Sequence, residues 1–220
     1  MSDATATDHW RAIAAAAGWD ERELIKACRR RRFKRGEVIF HEGDPGGGLH
    51  LIDVGRVAVK LTTPAGEAGL LDVLQPGEAF GEQSLVHANG VRTATACAIG
   101  RVETLVLEPQ TFAELRARSR GVDEFLLMLV SRRLAATSQR LIDALYLPAE
   151  ERIRRSLRRL AWVFATGDDQ VIPLTQNDIA EMAGVTRSTA NRVLRELQGC
   201  GLISITRGRI EVADPEALAR

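Results

Sequence analysis

Glycine spacing divides this chain of 220 residues into contrasting parts and limits the folds that are open to it. Residues 33 to 107 hold short apolar runs separated by glycines, at positions 36, 43, 46 to 48, 55, 66, 77, 81, 90 and 100. Many short strands with frequent turn residues indicate a compact antiparallel roll, barrel or sandwich. Residues 122 to 147 contain no Gly or Pro and keep a helical period, which predicts one long helix.

The predicted fold class is therefore α+β. We place an antiparallel β-roll with N-terminal helices in residues 1–118, the long helix in 119–147 and a C-terminal domain in 148–220. The opening segment is predicted to be helical through about Arg32, with Asp20 and Glu23 spaced as an N-cap and its partner. The basic cluster Arg29 to Arg32 is predicted to close that helix.

An apolar stripe on the long helix repeats at alternating steps of three and four, which is a seam of heptad type. It consists of Leu127, Val130, Leu134, Thr137, Leu141 and Ala144. Two copies can pair along this seam, or the stripe can pack on the β unit. Roughly 26 residues at 1.5 Å each give about 40 Å, longer than a small β unit needs, which favours a homodimer through residues 122–147.

Charge and composition exclude several classes of protein. Thirty basic and 29 acidic residues give a net charge of +1, so affinity for a polyanion must come from local clustering. We expect no transmembrane helix, because no apolar run approaches the roughly 20 residues that a bilayer requires. The start of the chain has no pattern of a secretory signal, so we expect a cytoplasmic protein.

Cysteine spacing and catalytic motifs give no metal site and no enzyme. Cys28, Cys97 and Cys200 are far apart and contain no Cys-x-x-Cys pair for zinc or an iron–sulfur cluster. The segment 43–48 lacks the Gly-Lys-Ser/Thr ending of a phosphate-binding P-loop and is interpreted as a turn. Ser84 with His87 lacks the Gly-x-Ser-x-Gly context of a hydrolase.

The C-terminal domain contains the pattern of a helix-turn-helix. Thr175 and Asp178 form a capping-box pair for a helix that runs to Ala183, and Gly184 begins a three-residue turn. A second helix follows from Arg187 to Gln198, and residues 202–212 hold two short β runs that form a wing. The predicted domain is a winged helix-turn-helix.

Positive charge is concentrated in this domain. Residues 184 to 210 contain five arginines and one glutamate, a net charge of +4 in a chain that is otherwise nearly neutral. Arginine forks match the acceptors of guanine, whereas hydroxyls and helix-start amides hold phosphates. We therefore expect double-stranded DNA as a partner, bound by Thr175, Thr186, Arg187, Ser188, Thr189, Arg192 and Arg195.

Together these residues resemble the CRP/FNR family of bacterial transcription regulators over about residues 33 to 212. The most specific part is Gly81-Glu82-Gln83-Ser84-Leu85 followed by Arg92-Thr93-Ala94, which resembles the phosphate-binding cassette of cyclic-nucleotide domains. The resemblance implies that Arg92 grips the cyclic phosphate with the Thr93 hydroxyl and the amides that start the turn. Glu82 would accept from a ribose hydroxyl and would also pair with Arg92.

The long helix carries a second part of the resemblance. Residues 132–138 are similar to the stretch that faces the base of cyclic AMP in members of the family that respond to it, where a Thr and the adjacent Ser come from different subunits. These residues are Thr137 and Ser138 in this chain. The implied ligand set is Gly81, Glu82, Gln83, Ser84, Arg92, Thr93, Thr137 and Ser138.

The resemblance implies a transcription regulator that responds to cyclic AMP and acts as a homodimer on palindromic DNA. Its implied partners are DNA, a second copy of the chain and RNA polymerase. We expect no association with a membrane. Cyclic GMP stays open as the effector, because the Thr93 hydroxyl can serve a guanine amino group. Three further hypotheses also stay open: a haem sensor with His87 as ligand, a regulator without an effector, and a regulatory subunit that does not bind DNA.

Two residues depart from the family pattern. Gln83 stands where the family usually has an apolar residue, so we expect the packing of the pocket to differ. Ser188 replaces an acidic residue of the recognition helix, and a hydroxyl is a more permissive partner for a base than a carboxylate. We expect the preferred half-site to shift or loosen at that base pair.

Overall fold

The computed structural model describes residues 14, 15, 18, 20–62, 66, 68–86, 90–165 and 171–219. The first half contains a short helix and the strands of a roll: α1 (Glu21–Ala27), β1 (Arg29–Phe33), β2 (Val38–Phe40), β3 (Leu49–Thr62), β4 (Ala68–Leu74), β5 (Ala79–Phe80), α2 (Gln83–Val86) and β6 (Thr95–Leu107). The second half is mostly helical: α3 (Pro109–Arg118), α4 (Gly121–Tyr146), α5 (Ala149–Phe164), β7 (Val171–Ile172), α6 (Gln176–Ala183), α7 (Arg187–Gly199), β8 (Ile203–Thr206), β9 (Arg209–Val212) and a 3₁₀ turn (Ala217–Ala219).

The mixed helix and antiparallel sheet confirm the predicted fold class. Contacts divide the chain into two compact units, residues 1–62 with 74–136 and residues 63–73 with 137–220. The first unit contains the roll, and the second contains the C-terminal helices and the wing. Strand β4 contributes its residues up to Val73 to the second unit and Leu74 to the first.

Two long strands form the centre of the roll. Strand β6 lies between β1 and β3, and all of these pairs are antiparallel. We expected separate runs at 49–53 and 57–61, but the structure joins them into β3, which shifts register on either side of Val54. Gly55 has φ +86°, and a Cβ there would lie 2.1 Å from the carbonyl oxygen of Arg101, so this glycine bends the strand without ending it.

The start of the roll corrects one prediction. The Asp20–Glu23 capping box is confirmed, but α1 ends at Ala27 and residues 29–33 form strand β1. Strand β1 pairs with β6 in the register Arg31↔Thr104, and Glu103 on β6 accepts ion pairs from Arg30 and Arg32. Four successive arginines carry no apolar period, so only their pairing partner decides between helix and strand.

Two apolar clusters hold the first unit together. One lies within the roll and includes Phe33, Ile52 and Phe80. The other joins the roll to α3 and the start of α4 through Leu115, Phe125 and its buried neighbours. Burial of a large apolar side chain contributes about 2 kcal/mol, so these clusters fix the frame on which the pocket residues stand.

Helix α4 confirms the predicted long helix, within one residue at each end. Its buried residues are Val122, Phe125 and Leu126, all in the first two turns. All six residues of the predicted seam are at least partly exposed, with Leu134 at 66%. Leu127, Val130 and Leu134, the seam residues that share the first unit with the roll, are therefore not buried against it.

The second unit confirms the winged helix-turn-helix. Helices α5, α6 and α7 bury Leu157, Ile179 and Leu194 against one another, and β7, β9 and β8 form the wing sheet. Gly184 adopts the left-handed conformation at φ 61°, so it ends α6 and allows the turn into α7. Across the described residues, none of the helices combines the length and hydropathy that a membrane span requires.

Candidate functional site

A pocket opens in the first unit between the cassette and the roll. It holds about 350 Å³ of open space, mouth included. Its wall includes Glu82, Gln83, Ser84, Arg92 and Thr93, so the structure brings together the cassette residues that lie apart in sequence.

Arg92 is fixed by the cassette and by the glycine turn. Its Nη1 donates to the Gly81 carbonyl oxygen at 3.0 Å and to Ser84 Oγ at 3.1 Å, and its Nη2 donates to the Gly48 carbonyl oxygen at 3.1 Å. The guanidinium lies 4.1 Å from the ring centroid of Phe40, a cation–π distance. These contacts hold a buried cation, 5% exposed, on the pocket wall.

Burial lowers the pKa of Arg92, while the carboxylates of Glu82 and Asp44 raise it. An arginine stays charged under any ordinary condition, so its desolvation has to be compensated by dipoles or anions. Neutral acceptors supply part of that compensation here. A phosphate would supply more, because charge-assisted bonds are about twice as strong as neutral ones.

The glycine turn 46–48 has a function that the sequence did not reveal. A Cβ on Gly47 would lie 2.9 Å from Nη2 of Arg92, and a Cβ on Gly48 would lie 2.4 Å from the Leu107 carbonyl oxygen. The sequence predicts a turn here but not its close approach to the Arg92 guanidinium. The turn must be free of side chains so that the arginine can lie against it.

Glu82 is 1% exposed and its partner is Arg133 of α4, with Nη1 to Oε1 at 2.6 Å. Arg133 also donates from Nη2 to the Ala79 carbonyl oxygen at 3.3 Å. The structure shows no direct hydrogen bond between Glu82 and Arg92: the arginine donates to carbonyls and a hydroxyl, and the Glu82 carboxylate acts on it through its charge. Arg133 lies one helical turn before Thr137, and that spacing was the available signal for this pocket residue.

Two buried polar atoms of this pocket have no hydrogen-bond partner within the described part of the protein. They are Oε2 of Glu82 and Nε of Arg92. An unsatisfied buried donor or acceptor costs about 1–3 kcal/mol. One is an acceptor and the other a donor, so the pocket presents groups suited to a ligand with both a hydroxyl and an anion.

Gln83 and Thr93 are joined on the same wall. The Thr93 hydroxyl donates to the Gln83 amide oxygen at 2.6 Å. The phosphate contact that we expected for this hydroxyl stays a prediction, and in this structure the Gln83 amide oxygen accepts its proton.

Beneath Arg92, a buried histidine supports Phe40. The His50 ring stacks on Phe80 at 4.8 Å between centroids, and it contacts the Phe40 ring edge-on at 5.8 Å. A ring nitrogen is 3.2 Å from the Thr104 hydroxyl. Burial, with the nearby Arg92 charge second, lowers the pKa of His50 to about 3, so the ring is neutral at physiological pH.

Thr137 and Ser138 are both exposed on α4, within the second unit. Neither lines the pocket of the first unit. Their predicted role requires a second copy of the chain, and it stays a prediction.

The two helices of the helix-turn-helix begin with hydroxyl caps. The Thr175 hydroxyl accepts from the Asp178 amide at 3.2 Å, and the Asp178 carboxylate accepts in return from the Thr175 amide at 2.7 Å. Thr186 caps α7 by accepting from the Thr189 amide, and its hydroxyl lies 3.0 Å from that of Ser188. The hydroxyls predicted to hold phosphates therefore first fix the starts of the two helices.

The arginines of α7 differ in their partners. Arg187 and Arg195 are exposed and form no ion pair among the described residues, whereas Arg192 pairs with Glu196 at 2.8 Å. Arg187 lies at the start of the helix, where a side chain can enter a groove first. Among the described residues, two of these three arginines therefore have no acidic partner and the third has one.

The basic face of α5 is largely neutralised by ion pairs. Arg154 and Arg155 pair with acidic residues one turn earlier, and Arg158 pairs with Glu216. Arg159 pairs with Asp72 of β4, which also binds Arg140 of α4 at 2.6 Å. This face therefore contributes less free positive charge than the sequence suggests.

The described residues contain neither a cluster of metal ligands nor the histidine proposed for haem. Among the described residues, no group of three or more His, Cys, Asp or Glu side chains is placed to hold a metal ion. His87, the ligand that a haem sensor would use, lies outside the described residues.

Two family models match the chain. The cyclic nucleotide-binding domain matches residues 30–119, and the Crp-like helix-turn-helix domain matches residues 139–220. The first range contains the pocket residues of the cassette and the roll, and the second contains α5, α6, α7 and the wing.

Known proteins match over most of the chain. A CRP-like cAMP-activated global transcriptional regulator of Mycobacterium tuberculosis is 31% identical over 192 residues, covering 86% of this chain and 85% of that protein. The cyclic AMP receptor protein of Thermus thermophilus is 32% identical over 189 residues, covering 86% of each. A solved transcriptional regulator of the CRP family, also from Thermus thermophilus, has a TM-score of 0.73 at 25% identity and covers 86% of this chain and 95% of that one.

Proposed function

Because the chain belongs to the CRP/FNR family of transcription regulators and is not an enzyme, we propose that cyclic AMP controls its binding to palindromic DNA as a homodimer. The family membership already makes it a cyclic-nucleotide-binding, DNA-binding regulator. The proposal adds the nucleotide, the oligomer and the kind of DNA site. RNA polymerase is the further partner that we propose.

One observation carries the effector proposal. The unpartnered Oε2 of Glu82 and Nε of Arg92 belong to residues that line the same pocket. A ribose 2′-hydroxyl donates, and a cyclic phosphate accepts beside a fixed cation. Cyclic AMP has both groups in one rigid molecule, and two of the relatives are named for their response to it.

Binding of cyclic AMP tests this directly by isothermal titration calorimetry. Replacing Arg92 removes charge-assisted bonds worth about 1.5–3 kcal/mol each, so Arg92→Ala should weaken the affinity by at least about a hundredfold. Arg118→Ala is the matched control, because Arg118 is exposed on α3 and does not line the pocket. Equal affinity of the two variants would remove the phosphate role of Arg92.

The same titration with cyclic GMP separates the two nucleotides. Their phosphates and riboses are identical, so only base contacts can distinguish them. If Thr137 and Ser138 bind the adenine edge, replacing both by Ala should weaken cyclic AMP and leave cyclic GMP nearly unchanged. Tighter binding of cyclic GMP by the unchanged protein would make it the effector instead.

The exposed seam of α4 supports a homodimer. Leu127, Leu134 and Leu141 are each more than half exposed, and a stripe of this kind on one helix is suited to a second copy. Leu134→Asp should convert the dimer to a monomer in sedimentation velocity, whereas Arg118→Asp should not. A monomeric unchanged protein, with and without cyclic AMP, would refute the oligomer.

Binding of DNA then depends on the distance at which the dimer holds its two helix-turn-helix domains. Recognition helices about 34 Å apart enter successive major grooves, so an effector needs only to favour that spacing. Coupling of about 1–3 kcal/mol would give a 5- to 150-fold gain in DNA affinity with cyclic AMP. Gel shifts with and without the nucleotide measure this factor, and a factor of one would refute the regulation.

Arg187 is the side chain we assign to base reading. Arg187→Ala should lose preference at one guanine of each half-site, at a cost of about 1–3 kcal/mol. Loss of the same size on every sequence would assign it to a phosphate.

A further inference from the structure

Gln83 is the departure from the family pattern that the proposed function does not use. It lies on the pocket wall next to Thr93, and the two side chains form a hydrogen bond of 2.6 Å. In that bond the Thr93 hydroxyl is the donor and the Gln83 amide oxygen is the acceptor.

A threonine hydroxyl has one proton and two lone pairs. Phosphate oxygens have lone pairs only, so Thr93 can stabilise a phosphate only by donating its proton. While Gln83 holds that proton, the Thr93 oxygen presents only lone pairs to the pocket. The nucleotide must therefore compete with Gln83 for the single proton of Thr93.

Other donors of the pocket do not remove this competition. Nη1 and Nη2 of Arg92 donate to protein acceptors, and Arg133 donates to Glu82 and to a backbone carbonyl. The unpartnered Nε of Arg92 can bond a phosphate without changing which group holds the Thr93 proton. Any hydrogen bond that a phosphate gains from Thr93 is thus paired with one that Gln83 loses. An apolar side chain at position 83 would have no bond to lose.

We propose that Gln83 is a positioning residue that lowers the affinity for cyclic nucleotides by holding the proton of Thr93. This inference rests on the proposed function, because it concerns the same pocket. It sets the effector concentration at which the regulator responds, and it acts through the phosphate that cyclic AMP and cyclic GMP share.

A double-mutant cycle tests the proposal on the full chain. Gln83→Leu, Thr93→Val and the double variant are titrated with cyclic AMP and with cyclic GMP, and thermal unfolding checks that each is folded. Gln83→Leu should tighten both nucleotides by about threefold to tenfold, because the neutral hydrogen bond to Gln83 no longer has to be broken before Thr93 donates to the phosphate. The same substitution in the Thr93→Val background should change neither affinity, since no proton remains to be released.

Gln110→Leu is the matched control, because Gln110 is exposed on α3 and bonds Glu114 outside the pocket. Gln83→Glu is a second arm that keeps an acceptor for the Thr93 proton and should not tighten binding. Unchanged or weaker binding by Gln83→Leu overturns the proposal, and so does an equal gain with and without the Thr93 hydroxyl. A gain for only one nucleotide also overturns it, since the effect would then lie at the base.

These failures differ from failure of the proposed function. If the unchanged protein binds neither nucleotide, the effector assignment fails and this inference fails with it. If nucleotide binds and depends on Arg92, but the cycle shows no coupling, only the role of Gln83 is lost.

Discussion

The buried imidazole of His50 should make the stability of the protein depend on pH in a way that one substitution removes. Burial lowers the pKa of His50 from its usual 6.5 to about 3 in the folded chain. The folded state therefore keeps this ring neutral, whereas the unfolded chain binds a proton below pH 6.5. The stabilisation is complete above pH 6.5 and is lost progressively as the pH falls towards 3.

The magnitude follows from proton linkage. Between pH 7.5 and pH 5.5, a group with pKa 6.5 unfolded and about 3 folded lowers the free energy of unfolding by about 1.4 kcal/mol. The assay is urea unfolding at several pH values, for the unchanged protein and for His50→Phe. The phenylalanine keeps an aromatic ring between Phe40 and Phe80 but has no titrating group.

We expect the loss of stability on acidification to be smaller in His50→Phe by about 1.4 kcal/mol. His41→Phe, which replaces an exposed histidine, is the matched control and should not show this difference. Equal pH dependence of the unchanged protein and His50→Phe would refute the neutral, buried imidazole. An imidazole that titrates near pH 6.5 by NMR would refute it as well.

Other contacts give predictions of comparable size. Gly47→Ala would place a Cβ 2.9 Å from Nη2 of Arg92, so it should displace that guanidinium and weaken nucleotide binding. Gly199→Ala, whose Cβ meets no atom within 4 Å, should not, and equal affinities of the two variants by calorimetry would contradict this. Asp72→Asn should lower the free energy of unfolding by about 1–2 kcal/mol, because its partly exposed ion pairs with Arg140 and Arg159 are both lost. Arg140→Met should lose part of the same energy, so in denaturant unfolding the double variant should lose less than the two single variants together; an additive loss would refute an ion-pair network centred on Asp72. Thr175→Val should lose the N-cap of α6 and about 1 kcal/mol, measured by thermal unfolding, and an unchanged stability would mean that the cap contributes nothing.

The elements predicted best were those with local signals. The capping boxes at Asp20 and Thr175, the left-handed Gly184 and the long helix all depend on residues within a few positions of one another. Such local preferences act before any tertiary contact forms, so a single sequence contains them. The family resemblance then supplied the cassette, which the structure gathers into one pocket.

The errors came from partners that are distant in sequence. Strand β1 forms because its backbone bonds β6, at the far end of the roll in sequence, and the pattern of its arginines gives no sign of that. Arg133 reaches Glu82 across 51 positions. The hydrogen bond from Thr93 to Gln83 was not predicted either, and the role of Thr93 towards a phosphate stays a prediction.

Strand β4 has a consequence for how the regulator can be dissected. Asp72 binds Arg140 and Arg159, and the Leu70 amide donates to Glu181 of α6 at 2.8 Å. A fragment cut at position 148 to isolate the DNA-reading half would leave Arg159 and Glu181 without these partners. Such a fragment should need the strand added back, as a peptide or by circular permutation, before its affinity for DNA represents that of the intact chain.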